Sequence, residues 1–138
     1  MFLYKLISNC IPEMTNKKDV ITTFRRYLKL KGFKNVKMIQ ADTVHQIEEP
    51  TVGLLPDITA ENKGILYFYK YFEGRQNIAE LIKDVKTFYR QKSESQNRKL
   101  KLKLLVPVKQ SDAVIQSLNA HQLEGVGVIR VSPKMAIA

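Results

Sequence analysis

The sequence predicts an α/β protein in which a mixed central sheet is flanked by helices. Stretches rich in β-branched and aromatic residues, typical of strands, occur within residues 51–72, 99–108 and 126–131. Amphipathic helical patterns separate these stretches, and this alternation predicts parallel crossovers in the second half of the chain. At 138 residues and 44% apolar composition, the chain can bury one hydrophobic core. We therefore expect a single folded domain.

The first predicted element is a helix capped by Thr15 or Asn16 and ended by Gly32. Its apolar residues keep helical spacing, and its other face is basic, with Lys17, Lys18, Arg25 and Lys29. A short strand over residues 36–39 follows. Residues 42–50 are interpreted as an irregular connection or a weak turn of helix.

A hairpin is predicted next, because strand-like residues 51–60 and 65–72 flank the turn sequence Asn62-Lys63-Gly64. Residues 65–72 are apolar on both faces apart from Lys70, which is typical of a central buried strand. The clearest amphipathic helix of the chain then covers residues 76–92.

The last third of the chain predicts a strand, a helix and a strand. Residues 99–108 alternate Lys and Leu before becoming fully apolar, so this strand begins exposed and runs into the core. Ser111 is the expected N-cap of a helix that extends to about Leu123. Residues 126–131 form the final strand.

The composition favours an anionic partner. The chain has 23 basic and 13 acidic residues, a formal net charge of +10, so nucleic acid or an anionic membrane surface is favoured over an acidic protein. A single cysteine, Cys10, excludes an internal disulfide, and His45 and His121 lie too far apart to form a sequence-local zinc site. No apolar segment reaches the roughly 20 residues of a membrane span. We expect a cytoplasmic protein without a membrane partner.

One acidic segment interrupts the basic chain. Residues 42–61 carry no basic side chain. Two interpretations are open: a solvated acidic loop, or a cation site beside a phosphate-binding surface. The acidic residues are Asp42, Glu48, Glu49, Asp57 and Glu61.

Two short motifs lie in the predicted hairpin. Pro56-Asp57 is in its first half, and Phe68-Tyr69-Lys70 is in its second. With this order of elements, the chain after Met14 resembles the restriction-endonuclease-like, or PD-(D/E)xK, nuclease superfamily. The acid of the second motif is missing, because Phe68 stands in its place. The resemblance implies one nuclease-like domain over residues 1–138, with residues 1–14 as an N-terminal extension.

The resemblance implies metal-dependent hydrolysis of phosphodiester bonds, with Asp57 binding Mg²⁺ and Lys70 assisting the attacking water. If Asn62 and Lys63 are the two loop residues, Asp57 lies opposite Phe68, and Lys70 points to the same face of the sheet. A carboxylate and an ammonium group are then expected close together.

The implied magnesium site needs a second carboxylate, because a single carboxylate binds Mg²⁺ poorly. Glu80 is on the helix after Lys70 but lies off its buried stripe. Glu48 and Glu49 of the preceding connection are alternative metal ligands. Glu73 ranks lowest because strand alternation places it on the face opposite Phe68. The site is complete or degraded according to which of these acids reaches Asp57.

Two rows of side chains have alternative interpretations. Lys99, Lys101 and Lys103 share one strand face and either bind phosphates or protect an edge strand from aggregation. The tyrosines at positions 67, 69 and 71 either pack in the core, the favoured interpretation, or form a base-stacking platform.

Two functional classes follow from these observations. One is a metal-dependent nuclease or nuclease-like DNA-processing protein. The other is a catalytically inactive module of the same fold that binds nucleic acid or docks on a partner enzyme. DNA is the expected ligand, and a second copy of the chain is a candidate partner, since a small domain often needs a dimer to grip a duplex.

Overall fold

The computed structural model describes residues 17–39, 54–73, 77–94 and 99–132. The predictions for Thr15, Asn16, Asp42, Glu48 and Glu49 lie outside these residues. The described elements are α1 (Lys17–Leu30), β1 (Lys34–Met38), β2 (Ile58–Asn62), β3 (Ile65–Tyr71), α2 (Ile78–Glu94), β4 (Lys99–Pro107), α3 (Val108–Ala120) and β5 (Gly127–Val131).

The five strands form one mixed sheet in the order β1-β2-β3-β4-β5. β1 and β2 pair antiparallel, as do β2 and β3, whereas β3, β4 and β5 run parallel to one another. The predicted α/β class, with a mixed sheet, a central β3 and parallel crossovers in the second half, is therefore confirmed.

The predicted hairpin register is wrong by two residues. Asn62 pairs with Ile65, so the loop consists of Lys63 and Gly64, whose φ angles are 52° and 81°. Positive φ at both loop residues is the geometry that joins twisted antiparallel strands with little splaying. Because side chains alternate with a period of two, the shift leaves each residue on its predicted face.

The larger core lies between the sheet and the helices α2 and α3. Even-numbered residues of β3 and β4 point to this side and pack against apolar residues of both helices. Phe68 is completely buried there, and its ring centroid lies 5.6 Å from that of Phe88. The buried members from the four elements are Leu66, Phe68, Leu81, Ile82, Val85, Phe88, Leu100, Leu102, Leu104, Val106, Val114 and Leu118.

The smaller core lies on the opposite side of the sheet, which we call the α1 side. α1 buries one stripe of apolar residues against odd-numbered residues of β3 and even-numbered residues of β2. The buried members from these three elements are Val20, Ile21, Phe24, Leu28, Ile58, Ala60, Tyr69 and Tyr71. The predicted apolar face of α1 thus meets the sheet, and its charged residues lie outside this contact.

The starts of α2 and α3 are fixed differently. At α2, the Asn77 side-chain oxygen accepts a hydrogen bond from the Ala79 N–H at 2.7 Å, as an N-cap does. The expectation that Ser111 caps α3 is wrong, because the helix begins at Val108 directly after β4. Ser111 is instead buried within α3, where its hydroxyl donates to the Val108 carbonyl at 2.9 Å and accepts from Arg130 Nε at 3.1 Å.

Candidate functional site

The carboxylate of Asp57 is the centre of a polar cluster at the edge of the sheet. Its Oδ2 accepts a hydrogen bond from the Tyr71 N–H at 2.7 Å, and its Oδ1 lies 3.2 Å from Lys17 Nζ. Lys70 Nζ lies 4.0 Å from Oδ2. Only 11% of the Asp57 side chain is exposed. One mostly buried carboxylate is therefore held by two ammonium groups and a backbone amide.

Chain geometry explains why these groups meet. Asp57 immediately precedes β2, and its N–H donates to the Tyr69 carbonyl at 2.8 Å. This hydrogen bond continues the pairing of β2 with β3 by one residue. When the hairpin register is extended by one pair beyond Ile58 and Tyr69, Asp57 lies opposite Lys70. Lys17 is the first residue of α1. The predicted proximity of Asp57 and Lys70 is thus present, although through a different register from the predicted one.

Glu73 also reaches this cluster, since its Oε2 lies 3.9 Å from Lys17 Nζ. The low rank predicted for Glu73 depended on strand alternation up to position 73. Because β3 ends at Tyr71, this alternation does not determine where the side chain of Glu73 points. The ammonium of Lys17 is therefore shared by two carboxylates. It occupies the position between them that a bound metal cation would need.

The implied Mg²⁺ does not fit the residues that the structure describes. Phe68, in the place that the resemblance assigns to the second acid, is buried in the larger core, and Glu80 is exposed on α2. Within residues 17–39, 54–73, 77–94 and 99–132, no group of three or more acidic, histidine or cysteine side chains could hold a metal ion. The ammonium groups near Asp57 would also repel a divalent cation.

The basic residues of α1 lie along its flank facing β1. Arg25 Nη1 lies 3.6 Å from the sulfur of Met38 in β1, which shows that this flank faces β1. Lys18 and Lys29, seven residues before and four after Arg25, lie on the same stripe of the helix. A shallow pocket of about 370 Å³ opens at the start of the stripe, lined by Lys17, Lys18, Ile21, Met38, Ile39 and Asp57.

The three lysines of β4, here called the lysine row, are on the α1 side of the sheet. Lys99 and Lys101 are exposed and Lys103 is half-buried, while Leu100 and Leu102 between them point into the other core. Among the described residues, no carboxylate lies within ion-pair distance of the row. Edge protection does not explain Lys103, because β5 pairs with β4 from that residue onward.

Lys103 is held in a defined position. Its ammonium lies 5.5 Å from the centre of the Tyr67 ring, and its aliphatic stem crosses Gly127. A Cβ at position 127 would lie 3.3 Å from the Lys103 Cγ, which is tighter than an ordinary contact. Glycine at position 127 therefore leaves room for the side chain of Lys103.

The tyrosines of β3 divide between the two interpretations given above. Tyr69 and Tyr71 are buried, whereas Tyr67 is half-buried at the start of the open part of the sheet. Tyr27 of α1 is 48% exposed, and Lys31 Nζ lies 5.6 Å from its ring centre. The sequence reasoning missed Tyr27 and Lys31, although their spacing of four residues already places them together on one helix flank.

Burial keeps the phenols of the smaller core neutral. Desolvation, followed by the neighbouring Tyr67 and Tyr27, raises the pKa of Tyr69 well above its ordinary value of 10.0. Desolvation and Glu73 raise the pKa of Tyr71. These phenols remain protonated throughout the neutral range, so they contribute hydrogen-bonding and packing groups and no charge.

The opposite side of the sheet has a second basic area that the sequence reasoning also missed. A pocket of about 340 Å³ on α2 is lined by Lys83, Lys86, Arg90 and His121, with Ala79, Ile82 and Thr87. The three basic residues of α2 fall on one face of the helix because they are spaced by three and four residues. This area provides a comparison surface of the same charge type on the far side.

A scan against protein-family models, a search of curated proteins and a search of solved structures each found no match to this chain. None of the described helices is long and apolar enough to cross a membrane.

Replacing Asp57 will destabilise the fold. In Asp57→Ala the buried Tyr71 N–H loses its acceptor, and Lys17 and Lys70 each lose one carboxylate, so we expect the free energy of unfolding to fall by about 2 kcal/mol. Asp57→Asn retains an acceptor oxygen and will lose less. Asp112→Ala, which removes an 87% exposed carboxylate 3.6 Å from Arg130, is the control and will change stability by less than about 0.5 kcal/mol. Urea unfolding measures all three; equal losses in Asp57→Ala and Asp112→Ala would contradict this role for Asp57.

Stability will decrease at alkaline pH partly through Tyr69. Because its pKa is raised in the folded state, the folded chain retains this proton while the unfolded chain releases it above pH 10.0, so the free energy of unfolding falls as pH rises. Tyr69→Phe removes this contribution and will show a shallower decline. Urea unfolding from neutral pH to well above pH 10 measures the two slopes; identical slopes would show that Tyr69 titrates as an ordinary tyrosine.

Proposed function

We propose that this chain is a nucleic-acid-binding module that holds the phosphate backbone with the α1 side of its sheet. One observation carries the proposal: the two basic groups recognised in the sequence, on α1 and on β4, lie on the same side of the sheet. The basic group of α1 faces β1, and the lysine row of β4 lies beside the other flank of α1. The residues involved are Lys17, Lys18, Arg25, Lys29, Lys99, Lys101 and Lys103.

The unbalanced charge of the lysine row supports an anionic ligand. Its neighbours across the strands on the same face are Ile65, Tyr67, Tyr69 and Gly127, none of which is acidic. Like charges on alternate residues of one strand repel each other, and a polyanion would relieve this repulsion. Binding of phosphates by lysines releases counterions, which makes affinity strongly dependent on salt.

Binding without hydrolysis is the form of the proposal that agrees with the Asp57 cluster. Hydrolysis would need oxygen ligands free to take a metal, whereas the oxygens of Asp57 contact Lys17, Lys70 and the Tyr71 N–H. We also propose that the chain is related to the PD-(D/E)xK superfamily and that its nucleic-acid ligand is DNA. We infer that the cluster links α1 to the sheet.

Phosphodiester hydrolysis is the second candidate, favoured by one observation, the proximity of Lys70 to Asp57. It would require carboxylates from outside the described residues, for which Glu48 and Glu49 are the candidates. We expect no cleavage of plasmid or linear DNA in Mg²⁺ or Mn²⁺ beyond that seen in EDTA. Metal-dependent cleavage that is lost in Asp57→Asn and Lys70→Met would establish the nuclease and reject the non-catalytic form of the proposal.

Removing the lysine row will weaken binding to nucleic acid. For the triple variant Lys99→Gln, Lys101→Gln and Lys103→Gln, we expect at least about tenfold weaker binding at about 0.1 M salt. The slope of log affinity against log salt should decrease by about 2 to 3, since each phosphate contact contributes about 0.7 to 0.9. Fluorescence anisotropy with labelled DNA measures both quantities.

A matched control removes three charges from the other side of the sheet. Lys83→Gln, Lys86→Gln and Lys109→Gln change the net charge equally, but the residues belong to α2 and α3. This triple variant should keep its affinity within about twofold. Equal losses in the two triple variants would mean that net charge alone drives binding, and the α1 side would not be the interface. The stoichiometry of the same titrations reports whether one or two copies bind each DNA.

A further inference from the structure

We propose that the open part of the α1 side, between α1 and the lysine row, binds single-stranded nucleic acid with unpaired bases stacked on Tyr27 and Tyr67. This inference rests on the proposed function and adds the class of strand that is bound. We call this surface the lysine–tyrosine face. It consists of Tyr27, Lys31, Tyr67, Lys99, Lys101 and Lys103.

The backbone of a single strand fits the spacing of the lysine row. Alternate residues of a strand are about 7 Å apart, which is similar to the distance between successive phosphates of an extended nucleic-acid strand. Lys31, directly after α1, provides a further ammonium on the other flank of the same surface. Phosphates can therefore be neutralised along β4, while the space between β4 and α1 is available to bases.

The aromatic residues form a continuous series across this space. Tyr27 stacks on Phe24 at 5.6 Å, Phe24 meets Tyr69 at 4.9 Å, and Tyr69 stacks on Tyr67 at 6.1 Å. Phe33 closes the series with an edge contact to Tyr67 at 5.5 Å. The buried members hold the two accessible rings, Tyr27 and Tyr67, in fixed orientations, which lowers the entropy lost when a base stacks on them.

Each accessible ring is in contact with an ammonium group. Lys31 lies over Tyr27 and Lys103 lies over Tyr67. A phosphate attracts an ammonium more strongly than a phenol ring does, because it carries a full charge. We therefore expect the lysines to move from the rings to the phosphates, so that the exposed ring faces become available to bases.

This exchange favours unpaired bases. In a duplex, the faces of the bases are stacked on each other and cannot contact Tyr27 or Tyr67 without unstacking. A single strand offers free base faces, and aromatic platforms beside a basic track bind such strands with little sequence preference. A duplex would contact only the lysines.

The test compares a labelled single-stranded oligonucleotide, an abasic oligonucleotide of equal length and a duplex, by fluorescence anisotropy. We expect Tyr67→Leu to weaken binding of the single strand by about tenfold and to leave duplex binding within about twofold. Tyr67→Phe keeps the ring and should bind as the unaltered chain does. The unaltered chain should bind the abasic strand more weakly than Tyr67→Leu binds the complete one, because the abasic strand loses stacking on both rings. Tyr67→Leu should lose nothing further on the abasic strand.

Tyr27→Leu provides a second variant on an exposed ring, so that a folding defect at position 67 cannot decide the result. Leu30→Ala, at a 74% exposed position on the same helix, is the surface control and should change neither affinity. If Tyr27→Leu and Tyr67→Leu bind the single strand like the unaltered chain, the inference is overturned. If duplex and single strand bind equally and both depend on the lysine row, the inference fails while the proposed function stands; if neither binds, both fail.

Discussion

The orientation of β4 depends on the burial of its leucines. Leu100, Leu102 and Leu104 must pack beneath α2 and α3, because these helices cover only one side of the sheet. Strand alternation then places Lys99, Lys101 and Lys103 on the α1 side, where parallel pairing to β3 aligns them with Ile65, Tyr67 and Tyr69. A basic surface beside aromatic rings is therefore a consequence of how the larger core is filled. Its position cannot change unless β4 slips against β3, which would expose the leucines.

The Asp57 cluster combines a mostly buried carboxylate with two ammonium groups at the rim of the sheet. Phe68, two residues before Lys70, contributes to the larger core, where a carboxylate would be costly to bury. The carboxylate of Asp57 is stabilised by Lys17 and Lys70 and by a backbone amide, so its negative charge serves the fold. Lys17 also connects the start of α1 to Glu73 after β3. The same contacts that attach α1 to the sheet make the cluster a poor magnesium site.

Much of the fold could be predicted from the sequence because hydrophobic periodicity dominates it. β3, which is apolar on both faces apart from Lys70, was predicted to be central, and the Lys-Leu alternation of β4 defined its two faces. The register was harder, since Asn62-Lys63 and Lys63-Gly64 are both plausible loops and only the backbone shows that Lys63 takes a positive φ. The proximity of Asp57 and Lys70 survived this error because the shift was an even number of residues.

Site residues were harder to predict where they depend on element ends or on contacts between distant elements. Glu73 was ranked low because the sequence does not show that β3 ends at Tyr71. Ser111 resembles a helix cap, but the helix begins earlier, at Val108. The role proposed for Tyr27 could not be recognised either, because its value depends on Phe24 and Tyr69 orienting it across the sheet.

The interaction energies favour the proposed exchange, in which Lys31 and Lys103 leave the tyrosine rings and bind phosphates. An exposed contact between an ammonium group and an aromatic ring contributes about 0.5 to 1 kcal/mol, whereas a base stacked on such a ring contributes about 1 to 3 kcal/mol. Exchanging Lys31 and Lys103 from their rings to phosphates is thus expected to be favourable overall.

The most direct measurement of the central claim is an NMR titration of the labelled protein with a short oligonucleotide. Amide shifts report which side of the sheet the ligand touches, independently of any substitution. If the α1 side is the interface, resonances of α1 and of the first half of β4 will move, and those of the exposed face of α2, including Lys83 and Lys86, will not. Shifts concentrated on α2 and α3, with α1 and Lys99 to Lys103 unchanged, would contradict it.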